Sequence, residues 1–446
     1  MNASTRRSVL AGSLALLVSS AHAEAPLGRL VPKPRGGDAT GVGRDGVIDV
    51  GDLPEIDLTG AQDMTAPLQA ALDALAARAV GGAKVGGVLR FPHGAIVRVG
   101  GTLNYDSDGP LSIVGGTGMN RKAARIIQDG RVLFNIVNSR PGAEASGQNQ
   151  VEIGGLELQC MYTGKDDACA FRIHEPESVY AHDIRASAGR GAWEVFFDLR
   201  NVRGAVFERM YVRNDHGLGD AKRPDGGYIH STGDRSADIR GTFFVFENDG
   251  RSSTDNRFHD LTVQGFDLFL GAQSSVKPNN EGFQFSGVSV VGCNTGILWT
   301  NKAEGYVPPL FDFHDGHMHV FKQVANLQNV AQFFLKNSTL ELDHQYDSVN
   351  GASGLSLISL SKVNRLHLSD LVLVTGRAVS PIAIFPGCDG GSIHDISGQM
   401  QNAPAIVQIL AGSKNIHVHH VGGYHAKQAV LNGDPRNWVD NCRTYN

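Results

Sequence analysis

The chain has 446 residues, a formal net charge of −5, 55 glycines and only 7% aromatic residues. This charge excludes the broad basic surface of a nucleic-acid-binding protein, and no apolar run beyond the N-terminus is long enough to cross a bilayer. Short runs of Val, Ile, Leu and Phe alternate with Gly, Asn, Asp and Ser, which indicates an all-β protein with many turns.

The first 23 residues have the features of an export signal. Arg6 and Arg7 precede an apolar run at residues 10–18, and Ala21-His22-Ala23 is a small-x-small cleavage site. The paired arginines favour the twin-arginine route over an ordinary secretory signal, and either route predicts a periplasmic or secreted protein. Residues 24–56, rich in Gly, Pro and Asp, are predicted to form a linker or extended arm.

Residues 64–78 are predicted to form a helix, with Leu68, Leu72 and Leu75 on one face. A pair of glycines and a first strand at residues 88–91 follow. Because the first coil of a solenoid must be protected from edge-to-edge pairing, this helix is predicted to cap that end.

One six-residue pattern recurs from about residue 150 onwards: apolar, two polar or small residues, apolar, one variable residue, and apolar or small. Phe258-His259-Asp260-Leu261-Thr262-Val263 is a clear copy, and another short apolar strand precedes most copies. The copies are 25 to 28 residues apart, except for two gaps of 51 and 55 that each predict one divergent copy. Such a period indicates a solenoid, and two or three short strands per repeat indicate a β-helix. The copies begin at Ile153, Ala181, Phe207, Phe258, Phe285, Phe313, Leu368, Ile393 and Val418.

The opening of this solenoid carries a set of family-like motifs: Asp63, Thr65, Leu68-Gln69-Ala70-Ala71-Leu72-Asp73, Gly86-Gly87, 88–91, Pro92-His93-Gly94 and Leu111-Ser112-Ile113-Val114-Gly115-Gly116. Together they resemble the start of the pectate-lyase superfamily. The resemblance implies a right-handed, single-stranded parallel β-helix over residues 57–446. It also implies activity on a polysaccharide, because the superfamily contains hydrolases, lyases, epimerases and tailspike depolymerases. The tailspikes assemble as homotrimers, and the same assembly is an expectation for this chain.

Recurring histidines invite a metal or catalytic interpretation that the repeat argues against. The pairs fall in the same two slots of the pattern, where residues stack about 4.8 Å apart along the axis. A structural polar column is therefore predicted for His182-Asp183, His259-Asp260, His314-Asp315, His394-Asp395 and His419-His420. For His317 and His319, which share a strand face, the sequence offers no third ligand, and no metal site or cofactor is predicted.

The catalytic prediction concerns a doubled gap rich in Asp, Arg, Lys and Gly, between residues 212 and 258. Asp198 and Glu247 each end a strand before a repeat copy, and His230 would lie in a divergent coil between them. This places the carboxylates on one flank about 10 Å apart, near the separation of about 6.5–9.5 Å in inverting glycosidases. Asp215 and Asp249 take these roles if the register slips by one. The competing interpretation is ordinary strand-end residues that face solvent.

Substrate binding is predicted for Trp299, Tyr306, Lys277 and Arg257, which are aromatic and cationic residues close to turns. For Trp299 a core position is the alternative. The predicted function is a secreted glycoside hydrolase. The alternatives are β-elimination, with Lys277, Arg257 or His230 as base, and non-catalytic glycan binding.

The substrate expectation follows from what the chain lacks. The short signatures of polygalacturonases and of calcium-dependent pectate lyases are absent, so the resemblance implies a bacterial exopolysaccharide or related acidic polysaccharide rather than pectin.

Five cysteines leave one unpaired in an exported chain. Cys160 and Cys169 flank a polar loop that a disulfide between them would clamp. The alternative, that all five are small buried residues of the solenoid wall, stays open on the sequence.

Overall fold

The computed structural model describes residues 45–116, 123–138, 149–164, 167–214, 241–247, 255–271, 281–300, 309–342 and 354–445. The predicted signal peptide and most of the predicted arm lie outside these ranges. Within them, none of the helical segments has the length and hydropathy that a bilayer crossing requires.

The described residues form short strands with one 3-10 turn (Val50–Asp52) and one helix, α1 (Thr65–Ala77). The N-terminal strands are β1 (Val47–Asp49), β2 (Thr59–Asp63), β3 (Ala79–Val80), β4 (Ala83–Lys84), β5 (Gly87–Arg90), β6 (Ile96–Val99), β7 (Leu103–Asp106), β8 (Leu111–Val114), β9 (Ala124–Gln128), β10 (Val132–Val137), β11 (Gln150–Gly154) and β12 (Leu156–Cys160). The central strands are β13 (Cys169–His174), β14 (Ser178–His182), β15 (Arg185–Ala188), β16 (Val195–Arg200), β17 (Gly204–Arg213), β18 (Thr242–Glu247), β19 (Asn256–Gln264), β20 (Leu268–Gly271), β21 (Gly282–Ser286), β22 (Ser289–Thr300), β23 (Leu310–His314) and β24 (His317–Val330). The C-terminal strands are β25 (Gln332–Leu342), β26 (Ile358–Val374), β27 (Ile382–Ile384), β28 (Asp389–Ala403), β29 (Val407–Ile409), β30 (Lys414–Ala426), β31 (Val430–Asn432), β32 (Trp438–Asp440) and β33 (Arg443–Tyr445).

All of these strands except β3 and β4 wind into three parallel sheets, in which each strand pairs with its equivalent in the next coil. Sheet A runs from β1 through β5, β8, β11, β14, β17 and β19 to β32. Sheet B runs from β2 to β33 and sheet C from β7 to β31. Long strands such as β17 and β26 bend and contribute to more than one sheet. The fold is therefore the predicted right-handed parallel β-helix of more than ten coils.

A residue in the left-handed conformation marks the corner between sheets A and B in most coils. The recurring His-Asp pairs lie there: the histidine ends the sheet A strand and the next residue makes the corner. Asp and Asn adopt this conformation more readily than most residues, and the corner residues are Asp183, Arg209, Asp260, Asp315, Asn337, Asp370, Asp395 and His420. In three pairs the histidine Nδ1 lies 2.7–2.8 Å from the neighbouring carboxylate. The predicted structural column is confirmed.

The core of the solenoid is filled by apolar side chains stacked from coil to coil. In sheet C, the rings of Phe134, Phe171, Phe197 and Phe244 stack in register, with centroids 5.1–5.7 Å apart. Each ring is fully buried. Stacked aromatic contacts of this kind fix both the spacing and the register of the strands that carry them.

Helix α1 caps the N-terminal end, as predicted, and its Leu68, Leu72 and Leu75 are fully buried. Asp63 Oδ1 accepts hydrogen bonds from the Thr65 and Gly100 amides, at 2.9 and 2.8 Å, and so ties the helix start to the next coil. The antiparallel hairpin β3–β4 then leads to Gly86, which has φ +50°. A Cβ there would collide with the Pro110 carbonyl oxygen, so this turn requires glycine.

Three details differ from the sequence predictions. The first coil begins at β1 (Val47–Asp49), within the predicted arm and before the expected start at residue 57, because β1 pairs with β5. The gap between Phe207 and Phe258 holds no extra coil, since β17 pairs directly with β19. The gap between Phe313 and Leu368 does hold one, formed by β25.

All five cysteines are free thiols, and four of them are buried. The disulfide alternative for Cys160 and Cys169 is therefore wrong, and the buried-wall alternative describes four of the five. Burial raises the pKa of the Cys160 and Cys169 thiols to about 12, which makes them unreactive near neutral pH.

Candidate functional site

Five ionisable side chains project from sheet C on three consecutive coils. They alternate with buried apolar residues along each strand, as the strand pleat requires. Arg172 and His174 lie on β13, Asp198 and Arg200 on β16, and Glu247 on β18. Register places Asp198 beside Arg172, and Arg200 between His174 and Glu247. We call these five residues the sheet C cluster.

Asp198 is the centre of this cluster. Arg172 Nε lies 3.2 Å from its Oδ2 and Arg200 Nε lies 3.1 Å from its Oδ1. His174 Nε2 lies 3.5 Å from the same Oδ2, and this buried nitrogen makes no hydrogen bond. The Asp198 side chain is only 9% exposed, so its charge is held by three neighbouring nitrogen atoms rather than by water.

Glu247 joins the cluster through Arg200. Its Oε2 lies 3.5 Å from the same Arg200 Nε that donates to Asp198, and its side chain is 13% exposed. Because both carboxylates flank one nitrogen atom, their nearest oxygens are at most about 7 Å apart, a limit that includes the spacing of retaining glycosidases and the lower end of the inverting range.

The two carboxyl groups have opposite pKa shifts. Burial would raise the pKa of Asp198, but the neighbouring His174 and Arg200 outweigh it and lower the pKa to about 2. Burial raises the pKa of Glu247; the charge of Arg200 opposes this shift, and the charge of Asp198 adds to it. Asp198 therefore stays ionised, while Glu247 holds its proton to a higher pH than an ordinary glutamate.

The stacked phenylalanines beneath the cluster hold it in place. Phe197 precedes Asp198 and packs between Phe171 and Phe244, the core residues of the two neighbouring strands. The cluster side chains thus lie on a well-packed sheet rather than on a loop, which favours a fixed geometry.

Asp198 and Glu247 do lie on one flank, but the predicted spacing is wrong, and their catalytic roles stay a prediction. They lie on adjacent coils rather than two coils apart, because β16 pairs directly with β18. They are also offset by two residues along the strands: Asp198 lies beside Val245, and Glu247 lies beside Arg200. This offset explains why one arginine contacts both carboxylates.

Five other predicted site residues cannot be placed relative to the cluster from the described part of the chain. His230, Asp215, Asp249, Lys277 and Tyr306 lie outside the described residues.

Two predicted substrate-binding residues are described, and neither contacts the cluster. Trp299 is fully buried between Phe283 and Phe311, so the prediction that it binds sugar at the surface is wrong and its core alternative is correct. Arg257 is exposed but lies on sheet A, on a different face of the solenoid.

Sequence reasoning missed Arg172, His174 and Arg200. An alignment of the three sheet C strands, rather than of the sheet A and B repeat, would have shown ionisable residues in five of the six positions of the same two outward slots, with Val245 as the exception. The aligned segments are Phe171-Arg172-Ile173-His174, Phe197-Asp198-Leu199-Arg200 and Phe244-Val245-Phe246-Glu247.

The cluster combines two carboxyl groups with opposite pKa shifts and two arginines. Across the described ranges, no three His, Cys, Asp or Glu side chains are arranged to hold a metal ion. His317 Nε2 lies 3.9 Å from Oε2 of Glu341 on β25. The chemistry that the described residues support is general acid–base catalysis.

No protein-family model matches the chain. No curated protein matches its sequence either.

Solved structures match through their fold. DFA-IIIase from Arthrobacter chlorophenolicus A6, without its lid, superposes with a TM-score of 0.55 at 12% identity, over 90% of this chain and 100% of that chain. The A-module of the Azotobacter vinelandii mannuronan C-5 epimerase AlgE6 gives 0.51 at 13% identity, over 89% and 99%. Tailspike protein 3 of bacteriophage CBA120 gives 0.50 at 11% identity, over 88% of this chain and 61% of that chain. At these identities the likeness establishes a shared fold.

Proposed function

We propose that this chain is a polysaccharide-cleaving enzyme, a glycoside hydrolase whose catalytic carboxyls are Glu247 and Asp198. One observation carries the proposal: two nearly buried carboxyl groups flank Arg200 and have pKa shifts in opposite directions. A pair of carboxyls whose environments separate their pKa values is the usual arrangement for an acid and a base that work together.

Glu247 is the general acid in this proposal. Its proton passes to the glycosidic oxygen while the bond from that oxygen to the anomeric carbon breaks, and the leaving sugar keeps the bonding electrons. Asp198 is the base. It accepts a proton from the water whose oxygen forms the new bond to the anomeric carbon, so one water is consumed for each bond cleaved.

Three nitrogen-bearing side chains have a supporting role. Arg172, Arg200 and His174 surround Asp198 and favour its ionised form, and Arg200 also lies against Glu247. In the family that the N-terminal motifs resemble, the substrates are polysaccharides. The fold neighbours include a DFA-IIIase, a mannuronan epimerase and a phage tailspike protein, which supports a glycan substrate.

The test uses the mature chain and its Glu247→Gln variant with acidic and neutral bacterial exopolysaccharides. We expect new reducing ends without ultraviolet absorbance from unsaturated uronate, and a rate about 10²–10⁴ lower in the variant because it lacks the general acid. The matched control is the same substitution elsewhere: Glu177→Gln removes a carboxylate that pairs with Arg203 outside the cluster.

Other outcomes identify the alternatives. Reducing ends accompanied by absorbance would mean β-elimination, and binding without either signal would mean a non-catalytic glycan-binding protein. Equal turnover by Glu247→Gln and the unaltered chain would show that the cluster is a structural ion-pair network.

We also propose that the chain is exported and cleaved after Ala23, because an apolar run and a small-x-small site precede that position. Mass spectrometry of the protein from its host should find a chain that starts at Glu24; a full-length form alone would contradict export.

The proposed assembly is a homotrimer. Tailspike members of the resembled superfamily form trimers. Light scattering should give three times the mass of the mature chain, and a monomeric mass would contradict this proposal.

A further inference from the structure

A second surface, far from the sheet C cluster, has the features of a sugar-binding groove. It lies on sheet B, where β28, β30 and β33 pair side by side near the C-terminal end. The groove has a volume of about 610 Å³, within the usual range of about 300–1,000 Å³ for small-ligand sites. Six coils separate it from the coil of β18, so it lies roughly 30 Å along the axis from Glu247.

Two exposed tyrosines form one side of this groove. Tyr424 and Tyr445 occupy the same outward slot on β30 and β33, and their ring centroids are 5.4 Å apart. They are 54% and 48% exposed, in a chain whose phenylalanines are almost all buried. Sugars present C–H faces that pack against aromatic rings, so paired exposed tyrosines suit a saccharide chain.

A glycine gives the groove its depth. Gly422 occupies an outward slot next to Tyr424, and a Cβ at this position would lie 3.1 Å from Cε2 of Tyr445. The Tyr445 ring therefore packs directly on the backbone of Gly422, and the sheet supports one face of the ring.

The groove also contains a cation without an internal partner. Arg443 pairs in register with Gly422, and its guanidinium contacts no carboxylate among the described residues. The carboxylate of the groove, Asp395, is already engaged by His394 and His420, which lie 2.7 and 3.5 Å away. An unpaired arginine beside aromatic rings selects an anionic group such as a carboxylate.

We propose that this groove, formed by Tyr424, Tyr445, Gly422, Arg443 and Asp395, binds a uronate-containing segment of a polysaccharide. The proposal rests on the proposed function for the class of ligand, but binding here needs no catalysis. A groove at this distance would hold one part of a long polymer while another part lies on sheet C, and it would raise the effective concentration of substrate at the cluster.

Affinity gel electrophoresis tests the proposal, with the gel cast with alginate or polygalacturonate as acidic probes and with dextran or inulin as neutral ones. The protein is the mature chain with Glu247→Gln, so that the probe is not cleaved. We expect at least one acidic probe to slow migration. Tyr424→Ala, Tyr445→Ala and Arg443→Gln should each reduce this retardation at least several-fold, whereas Tyr424→Phe should retain it because the ring remains.

Tyr180→Ala is the matched control, since Tyr180 is also an exposed tyrosine but lies on sheet A and donates to Glu208. It should migrate like its parent, and melting temperatures identify any variant that fails to fold. The proposal is overturned if no probe slows the parent, if neutral probes alone do so, or if the groove variants bind as the parent does. Retardation without any cleavage by the unaltered chain would retain the groove and reject the hydrolase, and cleavage without an effect of the groove variants would do the reverse.

Discussion

The corner between sheets A and B and the sheet C cluster are both rows of charged side chains in register, yet their physical states differ. At the corner, Asp183, Asp315 and Asp395 each contact the histidine that precedes them and have lowered pKa values, mainly through hydrogen bonds. In the cluster, two carboxyls are nearly buried and have pKa shifts in opposite directions.

The two regions also differ in how often their residues recur along the solenoid. A corner aspartate has a structural role, because the turn between sheets A and B requires a residue that tolerates the left-handed conformation. The cluster occurs on three coils, and its members differ in kind from one coil to the next. A polar position that repeats along a solenoid is therefore evidence for structure, whereas a charged position that breaks the repeat is a better indication of a site.

The largest expected effect is that of Asp198→Asn. It removes the base, which should lower the rate about 10²–10⁴-fold, and it leaves Arg172 and Arg200 without their shared anion. A carboxyl whose pKa falls from 3.8 to about 2 on folding contributes about 2 kcal/mol of stability. Activity and melting temperature should therefore fall together, as steady-state kinetics and thermal unfolding would show.

The same residue predicts that the unaltered chain loses stability at acidic pH. The stability from Asp198 is fully present above its unfolded pKa near 3.8 and is lost as the pH falls towards about 2. In Asp198→Asn this contribution to acid unfolding should disappear. An unchanged acid transition would mean that Asp198 is not the buried anion described here.

A smaller effect, on stability alone, is expected at the corner. Asp260 has φ +52° and lies outside the cluster. Asp260→Val places a β-branched residue in the left-handed region, which costs about 1–2 kcal/mol, whereas Asp260→Asn should be nearly neutral. Both variants should keep full turnover. Loss of turnover at an unchanged melting temperature would instead assign the corner a direct functional role.

The smallest effect concerns the histidine stack near the C-terminal end, where His394 and His419 stack with centroids 4.8 Å apart. Burial, followed by the charges of His394, His417 and His420, lowers the pKa of His419 below 6.5. Because the folded chain disfavours the protonated form, stability should be lost as the pH falls through about 6.5 and below. Hydrogen exchange at β28 and β30 should rise over this range, and less so in His419→Asn.

Much of the fold was predictable because each coil of a solenoid carries a similar sequence pattern, so the pattern can be recognised several times along one chain. The period gave the β-helix, and the spacing of Leu68, Leu72 and Leu75 gave the capping helix. The His-Asp pairs were correctly identified as structural because a residue type that returns at the same position in several coils points to a requirement of the backbone.

The site was less predictable because it depends on register between coils. The gap between Phe207 and Phe258 is long enough for an additional coil. The length of a segment alone does not show whether it forms a coil or a loop insertion. Arg200 was overlooked because it follows Asp198 by two residues and meets Glu247 only through strand pairing. Trp299 has no neighbour in sequence that reveals the rings packed around it.

The most direct test of the account is the pH dependence of kcat/KM for the unaltered chain and for Glu247→Gln, measured on whichever exopolysaccharide it cleaves. A protonated Glu247 and an ionised Asp198 predict an acidic optimum. The rate should fall at higher pH as Glu247 ionises, above the ordinary glutamate pKa of 4.5, and at low pH only as Asp198 protonates near 2. The fall at higher pH should be absent from the residual activity of Glu247→Gln. If that variant keeps both the turnover and the pH profile of the unaltered chain, Glu247 is not the acid, and the sheet C cluster is a structural network.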